Sequence, residues 1–252
     1  MNEPFIDFKG MRVLVSGASS GIGRAIATEL SRRGAGLILA GRNKERLDET
    51  AGMLENAERH ILVMDLQKTD NVFAAIRNLA GSIGRIYGLC HSAGIAEILP
   101  LAVAKPDHLR RMLEINLLAG VELARAISRQ EIMEPGGGSI LFVSSIGSIV
   151  GAGGQIGYCS SKGAVSAAAR AMAVELARRN IRVNTLCPGM VRTAMTEKAF
   201  SVPAEANAMM DAYPLGIGTP EDVARAAVFL LAPQNRWITG IDLIVDGGFT
   251  AK

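Results

Sequence analysis

Two residues that can do proton chemistry, Tyr158 and Lys162, lie four apart in GYCSSKGAVSAAARAMAVELARR, a stretch running from Gly157 to Arg179 that is otherwise mostly alanine, serine and glycine. A phenol with a reference pKa of about 10 is a poor acid or base at neutral pH. Residues four apart on a helix share a face, so Lys162 comes to lie beside Tyr158. An ammonium about 4 Å away, at an effective dielectric of about 20, is worth about 4 kcal/mol. That is on the order of 3 pKa units, enough to let Tyr158 exchange a proton with a substrate oxygen near neutral pH. The small neighbours Gly157, Ser160, Ser161, Gly163 and Ala164 leave room for ligands against the helix. An isolated pair of this spacing is as well explained by a surface contact. Upstream, however, VSSIGS closes a strand-like run and puts Ser144 and Ser145 at the carboxyl edge of a sheet, where ligands bind in open α/β folds.

A second constellation, SGASSGIGRAIATEL, follows the first strand-like run, with Gly17, Gly21 and Gly23 spaced as G-x-x-x-G-x-G. A strand that ends in a glycine turn opening a helix is a pyrophosphate site. Missing β-carbons let the backbone approach the phosphates, and the helix N-terminus supplies N–H groups and a positive dipole. A purely structural turn is the alternative. The second strand ends in AGRN, so Gly41 stands where an acid would hold a ribose 2′-hydroxyl, and Arg42 follows. A guanidinium pairs bidentately with a 2′-phosphate, which points to NADP(H) as the preferred coenzyme, with NAD(H) possible. Asp65, in the MDL after the third strand, is placed either for the adenine edge or as a cap for the next helix.

These residues need a frame. Candidate strands are Met11 to Ser16, Gly36 to Gly41, His60 to Met64, Ile86 to His91, Ser139 to Ser144, Ile181 to Leu186 and Ile241 to Val245. They are apolar on both faces, as strands covered by helices on each side must be. Helical patterns such as RAIATELSRR, HLRRMLEINLLAGVELARAI and EDVARAAVFLLA alternate with them; the last follows Thr219 and Pro220, an N-cap and an N1 proline. The alternation predicts an α/β fold, a doubly wound Rossmann-type domain with a seven-stranded parallel sheet and helices on both faces. No linker or internal repeat divides the chain, so residues 1–252 are read as one coenzyme-binding catalytic domain.

Composition narrows the classes. Hydrophobic residues make up 49% and charged ones 20%, which favours a large core over disorder. A net charge of +3 without a basic block, and 4% aromatics, argue against nucleic acid. Cys90, Cys159 and Cys187 have no C-x-x-C spacing and read as core fillers in a reducing compartment. His60, His91 and His108 lack ligand spacing, so no metal site is expected. MNEPFIDFKG has no apolar run of leader length and no longer apolar stretch is free of charges, so a cytoplasmic protein without membrane contact is expected.

Taken together, the motifs resemble the short-chain dehydrogenase/reductase family over essentially the whole chain. They are S-G-A-S-S-G-I-G from Ser16, the pair Asp65 and Leu66, H-S-A-G from His91 to Gly94, and Ile115 with Asn116. The serine strand, Y-C-S-S-K, P-G-M-V-R-T from Pro188 to Thr193 and D-G-G from Asp246 complete the set. The resemblance implies an Asn–Ser–Tyr–Lys tetrad of Asn116, Ser145, Tyr158 and Lys162, with Ser145 rather than Ser144 by the count back from the tyrosine. Ser145 would bond the substrate carbonyl and the developing alkoxide. Tyr158 would give or take the proton, and Lys162 would lower its pKa and hold the nicotinamide ribose. Asn116 would hold a water relay, or stand as an ordinary buried amide. The implied coenzyme site comprises Gly17, Ser19, Ser20, Gly21, Ile22, Gly23, Arg42, Asp65, Leu66, Ser92, Ala93, Gly94, Tyr158, Lys162, Pro188, Gly189, Val191 and Thr193, the last touching the nicotinamide carboxamide.

The chain departs from the family in two places. His91 and Ser92 replace amides, His91 being read as a structural substitute rather than a base, and Ser16 stands where threonine is usual. The closing third looks most like 3-oxoacyl-thioester reductases. Glu131 and Glu134, however, lie where carrier-dependent reductases tend to be basic, which weakens docking of an acidic carrier. Another alcohol, ketone or sugar is an equal alternative, and a non-catalytic dinucleotide-binding module the remaining one. In AMTEKAFSVPAEANAMMDAYPLG, Met195, Phe200, Met209, Met210 and Tyr213 are read either as an apolar lid over a small carbonyl or alcohol substrate or as a satellite core. The resemblance further implies a homotetramer or homodimer, built through the helices of Asn116 and Tyr158 and the C-terminal strand.

Overall fold

Alternating burial of consecutive residues builds the core. The computed structural model describes residues 6–201 and 203–251. Seven strands, β1 (Arg12–Ser16), β2 (Gly36–Gly41), β3 (Arg59–Val63), β4 (Gly88–His91), β5 (Gly138–Val143), β6 (Ile181–Pro188) and β7 (Asp242–Val245), form one sheet. Their order is β3-β2-β1-β4-β5-β6-β7 and every pairing is parallel. Successive side chains point to opposite faces. Val13, Val15, Leu37, Leu39, Leu141 and Val143 therefore enter one core, while Leu14, Ile38, Ala40, Ile140 and Phe142 enter the other. Strands β2, β4, β5 and β6 are buried throughout, β1 is buried but for Arg12, and the edge strands β3 and β7 are partly exposed.

Among the described residues there are eight α-helices: α1 (Gly21–Arg32), α2 (Lys44–Gly52), α3 (Val72–Ile83), α4 (Pro106–Leu113), α5 (Ala119–Ile127), α6 (Ile156–Leu176), α7 (Pro203–Ala212) and α8 (Pro220–Leu231). Ile26 and Leu30 of α1, Leu47 of α2 and Val228 and Leu231 of α8 close the first core. Ile76 of α3, Leu123 of α5 and Val165 of α6 close the second. The strand order reverses between β1 and β4, so a crevice opens outside their carboxyl ends at the switch point.

The expected strands differ from the observed ones by only one or two residues at their ends. As expected, α8 begins at Pro220 with Thr219 as its cap, in a reciprocal capping box with Asp222. Two expectations need correction. The helical pattern from His108 to Ile127 is not one α-helix: a π-helical turn, Glu114–Leu118, separates α4 from α5. Asp65 does not cap a helix; its carboxylate accepts the Gln67 N–H at 3.1 Å in a local turn, and the next helical turn starts at Thr69. The first five residues, part of the stretch read as lacking a leader, lie outside the described residues, as do Val202 of the covering segment and Lys252. Among the described residues no helix is long and apolar enough to cross a membrane, and no three metal-ligand side chains cluster.

A buried arginine ties α8 to the sheet. Arg182 on β6 donates to the carbonyls of Leu230 (2.7 Å), Leu231 (3.1 Å) and Ala232 (2.9 Å), which a helix C-terminus leaves unpaired. Its charge also suits the negative end of the helix dipole. Arg182→Met should leave the Ala232 carbonyl without this donor and the Leu230 and Leu231 carbonyls with only Ser139 and Tyr87, and should cost on the order of 2 kcal/mol, seen as a lower urea midpoint. A midpoint equal to the parent's would show that the clamp contributes nothing.

Candidate active site

The crevice at the carboxyl edge is a cleft of about 390 Å³. Its floor is the turn between β1 and α1. Gly17 has φ +70°, and a β-carbon there would stand 2.7 Å from the Ala93 nitrogen; one on Gly23 would stand 2.3 Å from the Gly17 carbonyl oxygen. Side chains at either position would force the turn open. Ser20, the α1 N-cap, makes no side-chain cap bond, and the first helical turn carries no acid. The leading N–H groups are thus without a side-chain acceptor and without a repelling carboxylate, which fits a pyrophosphate.

The walls contain every residue assigned to the coenzyme from sequence: Ser19, Gly21 and Ile22 of the turn, Arg42, Asp65 and Leu66 beyond β2 and β3, Ser92 to Gly94 after β4, and Pro188, Gly189, Val191 and Thr193 after β6, besides the residues already described and the tyrosine–lysine pair. Sequence reasoning missed Arg46, Gln67, Ile95, Ile115 and Thr196, which line the cleft too. Arg46 had a readable signal, since it follows Arg42 by four residues in the opening turn of α2. Arg42 and Arg46 are both exposed, and neither forms an ion pair among the described residues. The other four carry no distinguishing residue type; only the fold brings them to the cleft.

Tyr158 and Lys162 lie one turn apart on α6, with the ammonium 5.8 Å from the centre of the phenol ring. Lys162 is buried, and its Nζ donates to the Val143 carbonyl, the last of β5, at 2.8 Å. Ser144 and Ser145 both reach the cleft wall, but the Ser144 hydroxyl is buried and donates to the Lys162 backbone carbonyl at 3.1 Å, whereas Ser145 Oγ accepts the Gly147 N–H at 3.0 Å. The phenol's pKa is not lowered by Lys162 as expected. Burial pushes it above its ordinary value and the Ser145 hydrogen bond opposes the rise, because the ammonium is engaged by a carbonyl under the ring.

Asn116 does not line the cleft. It is fully buried; its Oδ1 accepts the Ile95 N–H at 2.8 Å, and its Nδ2 donates to the Ile95 carbonyl at 3.0 Å and to Ser161 Oγ at 2.9 Å. The side chain clamps the loop after β4 to the residue preceding Lys162. The covering segment also divides. Met195 lines the cleft, while Tyr213 is buried, stacked on Phe249 at 4.7 Å, and accepts the Met190 N–H at 3.0 Å, a satellite core. Phe200 lies under the Arg192 guanidinium at 4.5 Å.

Burial lowers the Lys162 ammonium from 10.5 to about 8. From about pH 8 up to 10.5 the unfolded chain holds a proton that the folded one has released, so this group favours folding increasingly as pH rises through that window. Lys162→Met should remove the rise: the stability difference between parent and variant, from urea unfolding at about pH 7.5 and about pH 10, should shift in the parent's favour at the higher pH. A difference independent of pH would mean that Lys162 titrates like an exposed lysine.

Known proteins with this arrangement are oxidoreductases. A short-chain dehydrogenase family model, described as enoyl-(acyl carrier protein) reductase, matches residues 17–250. D-erythrulose reductase of Gallus gallus is 34% identical over 98% of each chain. The 3-oxoacyl-[acyl-carrier-protein] reductase of Rickettsia conorii is 35% identical over 96% of this chain and 98% of its own. A solved short-chain type dehydrogenase/reductase from Mycobacterium ulcerans superposes with a TM-score of 0.91 at 28% identity, over 98% of this chain and 92% of that one. With the glycine turn, the serine strand and the Tyr–Lys helix at one sheet edge, the chain belongs to the short-chain dehydrogenase/reductase family of NAD(P)-dependent oxidoreductases.

Proposed function

We propose that the protein is an NADP(H)-dependent enzyme interconverting a ketone and a secondary alcohol, with Tyr158 as the acid and base. The observation that carries this reading is that Ser145, Tyr158 and Lys162 line the same cleft as the glycine turn. When bound, the coenzyme supplies or accepts the hydride. Tyr158 then has one task, to move a proton at the substrate oxygen. Its raised pKa keeps the phenol protonated at neutral pH, which suits donation to a ketone oxygen during reduction. Ser145 holds that oxygen and steadies its developing charge. Lys162, anchored on Val143, presents a buried cation on the coenzyme side of the ring. Asn116 serves the site by clamping Ile95 and Ser161.

Arg42 and Arg46, together with Gly41 in place of an acid, support NADP(H) over NAD(H). Arg42→Ala should weaken NADPH binding by about ten-fold or more while leaving NADH almost unaffected, as measured by fluorescence titration. An unchanged ratio of the two affinities would remove the assignment.

Ile95, Gly189 and Met195 on the cleft walls support an uncharged substrate. A 3-oxoacyl thioester is the first candidate, in keeping with the Rickettsia relative. A small ketose is the second, favoured by the D-erythrulose reductase relative. Glu131, beside Arg129 at 3.8 Å, and Glu134 favour a substrate not delivered by an acidic carrier. The one sheet supports a single catalytic domain, the three free cysteines support a reducing cytoplasm, and exposed Val174 on α6 and Ile244 on β7 support a homotetramer or homodimer.

NADPH oxidation with a short 3-oxoacyl thioester and, separately, with erythrulose tests the reading. Turnover with either should fall by about a thousand-fold in Tyr158→Phe, with NADPH binding retained. Equal turnover in parent and variant would refute the role of Tyr158. NADPH binding without turnover of any ketone would favour the non-catalytic module.

A further inference from the structure

His91 touches no reacting group in the chemistry above, yet its imidazole is buried, 1% exposed, at the end of β4 beneath the cleft. It stands where the family resemblance leads one to expect an amide. Its strand register places it opposite Ser16, the last residue before the glycine turn, and its Nδ1 lies 2.8 Å from Ser16 Oγ. The Ser16 oxygen also faces the Ala93 N–H at 3.4 Å, so it accepts there and its own proton is free for Nδ1.

The other ring nitrogen, Nε2, is buried without a partner in normal hydrogen-bond geometry. With the Ser16 proton directed at Nδ1, the hydrogen of the neutral ring sits on Nε2. The ring has little freedom. Phe142 packs edge-on at 6.0 Å, and a β-carbon on Gly120 would come within 2.6 Å of the imidazole Cδ2 and 2.8 Å of the Phe142 ring. Glycine inside a helix costs about 1 kcal/mol relative to alanine. At Gly120 its missing side chain is what admits the two rings.

We infer that His91 is a positioning residue, a neutral imidazole locked as the Nε2–H tautomer that bonds the end of β1, at the glycine turn, and packs against α5, which continues the π-helical turn holding Asn116. Asn116 in turn holds Ile95 and Ser161, so a change at one ring reaches both ends of the cleft. Lys162, the charged group facing the ring, and burial together lower its pKa to about 3, so it stays neutral at physiological pH. Only the kinetic part of the following test rests on the function proposed above.

Heteronuclear imidazole spectra of isotopically labelled protein read the tautomer directly. There are 3 histidines, and the His91 signals are those lost in His91→Asn. The expected result is a neutral Nε2–H ring unchanged between about pH 5 and about pH 8, where an ordinary histidine titrates. An Nδ1–H ring, or titration in that range, would overturn the inference. In kinetics, His91→Leu should lower kcat about ten-fold or more while the NADPH Kd moves less than about three-fold. His91→Asn should recover part of the loss, because its amide oxygen can accept from Ser16. A His91→Leu kcat equal to the parent's, or equal losses in both variants, would also overturn it. If the parent turns over no ketone, the proposed function fails and the spectra alone decide the tautomer; the same holds if His91→Leu does not fold.

Discussion

A buried ammonium on the last carbonyl of β5 is the contact on which the site depends. Removing a charge from water is costly unless strong acceptors replace the water, and Lys162 finds one in Val143. The bond sets how α6 lies against the sheet edge. The Ser144 hydroxyl on the Lys162 carbonyl sets it a second time, from the strand side. With strand and helix joined in this way, Tyr158 one turn earlier meets Ser145 one residue later. The positions of Ser145 and Tyr158 are thus set by the contacts of Ser144 and Lys162.

Small residues make this possible. Ser161 and Gly157 are buried on α6, and a β-carbon on Gly157 would stand 2.3 Å from the end of the Met112 side chain on α4, which would have to move aside. The glycine turn obeys the same rule on the opposite wall, where Gly17 lies against the backbone of Ala93. The charged groups that line the cleft include the Arg42 and Arg46 guanidiniums, without an ion pair among the described residues, the Asp65 carboxylate and the buried Lys162 ammonium, beside uncharged Ile95 and Met195.

Much of this was legible beforehand. The seven strands were readable because a parallel sheet covered on both faces demands uninterrupted apolar runs, and their ends were misjudged by only a residue or two. The α8 cap was readable because Thr219, Pro220 and Asp222 each favour one position at a helix start. The π-helical turn within the Asn116 segment was not. Its residues suit an α-helix, and the extra residue is held there by the Asn116 amide on Ile95 and Ser161, partners distant in sequence.

By itself the sequence determined whatever depends on spacing within one segment: the shared face of Tyr158 and Lys162, the glycines that open α1, the serines that end β5, and the alternation that makes a doubly wound sheet. Tertiary structure alone decided the contacts between segments. Lys162 bonds Val143 rather than the phenol, burial raises the Tyr158 pKa, Asn116 acts as a clamp behind the cleft, and His91 faces Ser16 across two strands. The physical reason is the same for each. Such contacts follow from strand register and from the rotation of helices against the sheet, which are set by packing of the whole core and are encoded in no single stretch of chain.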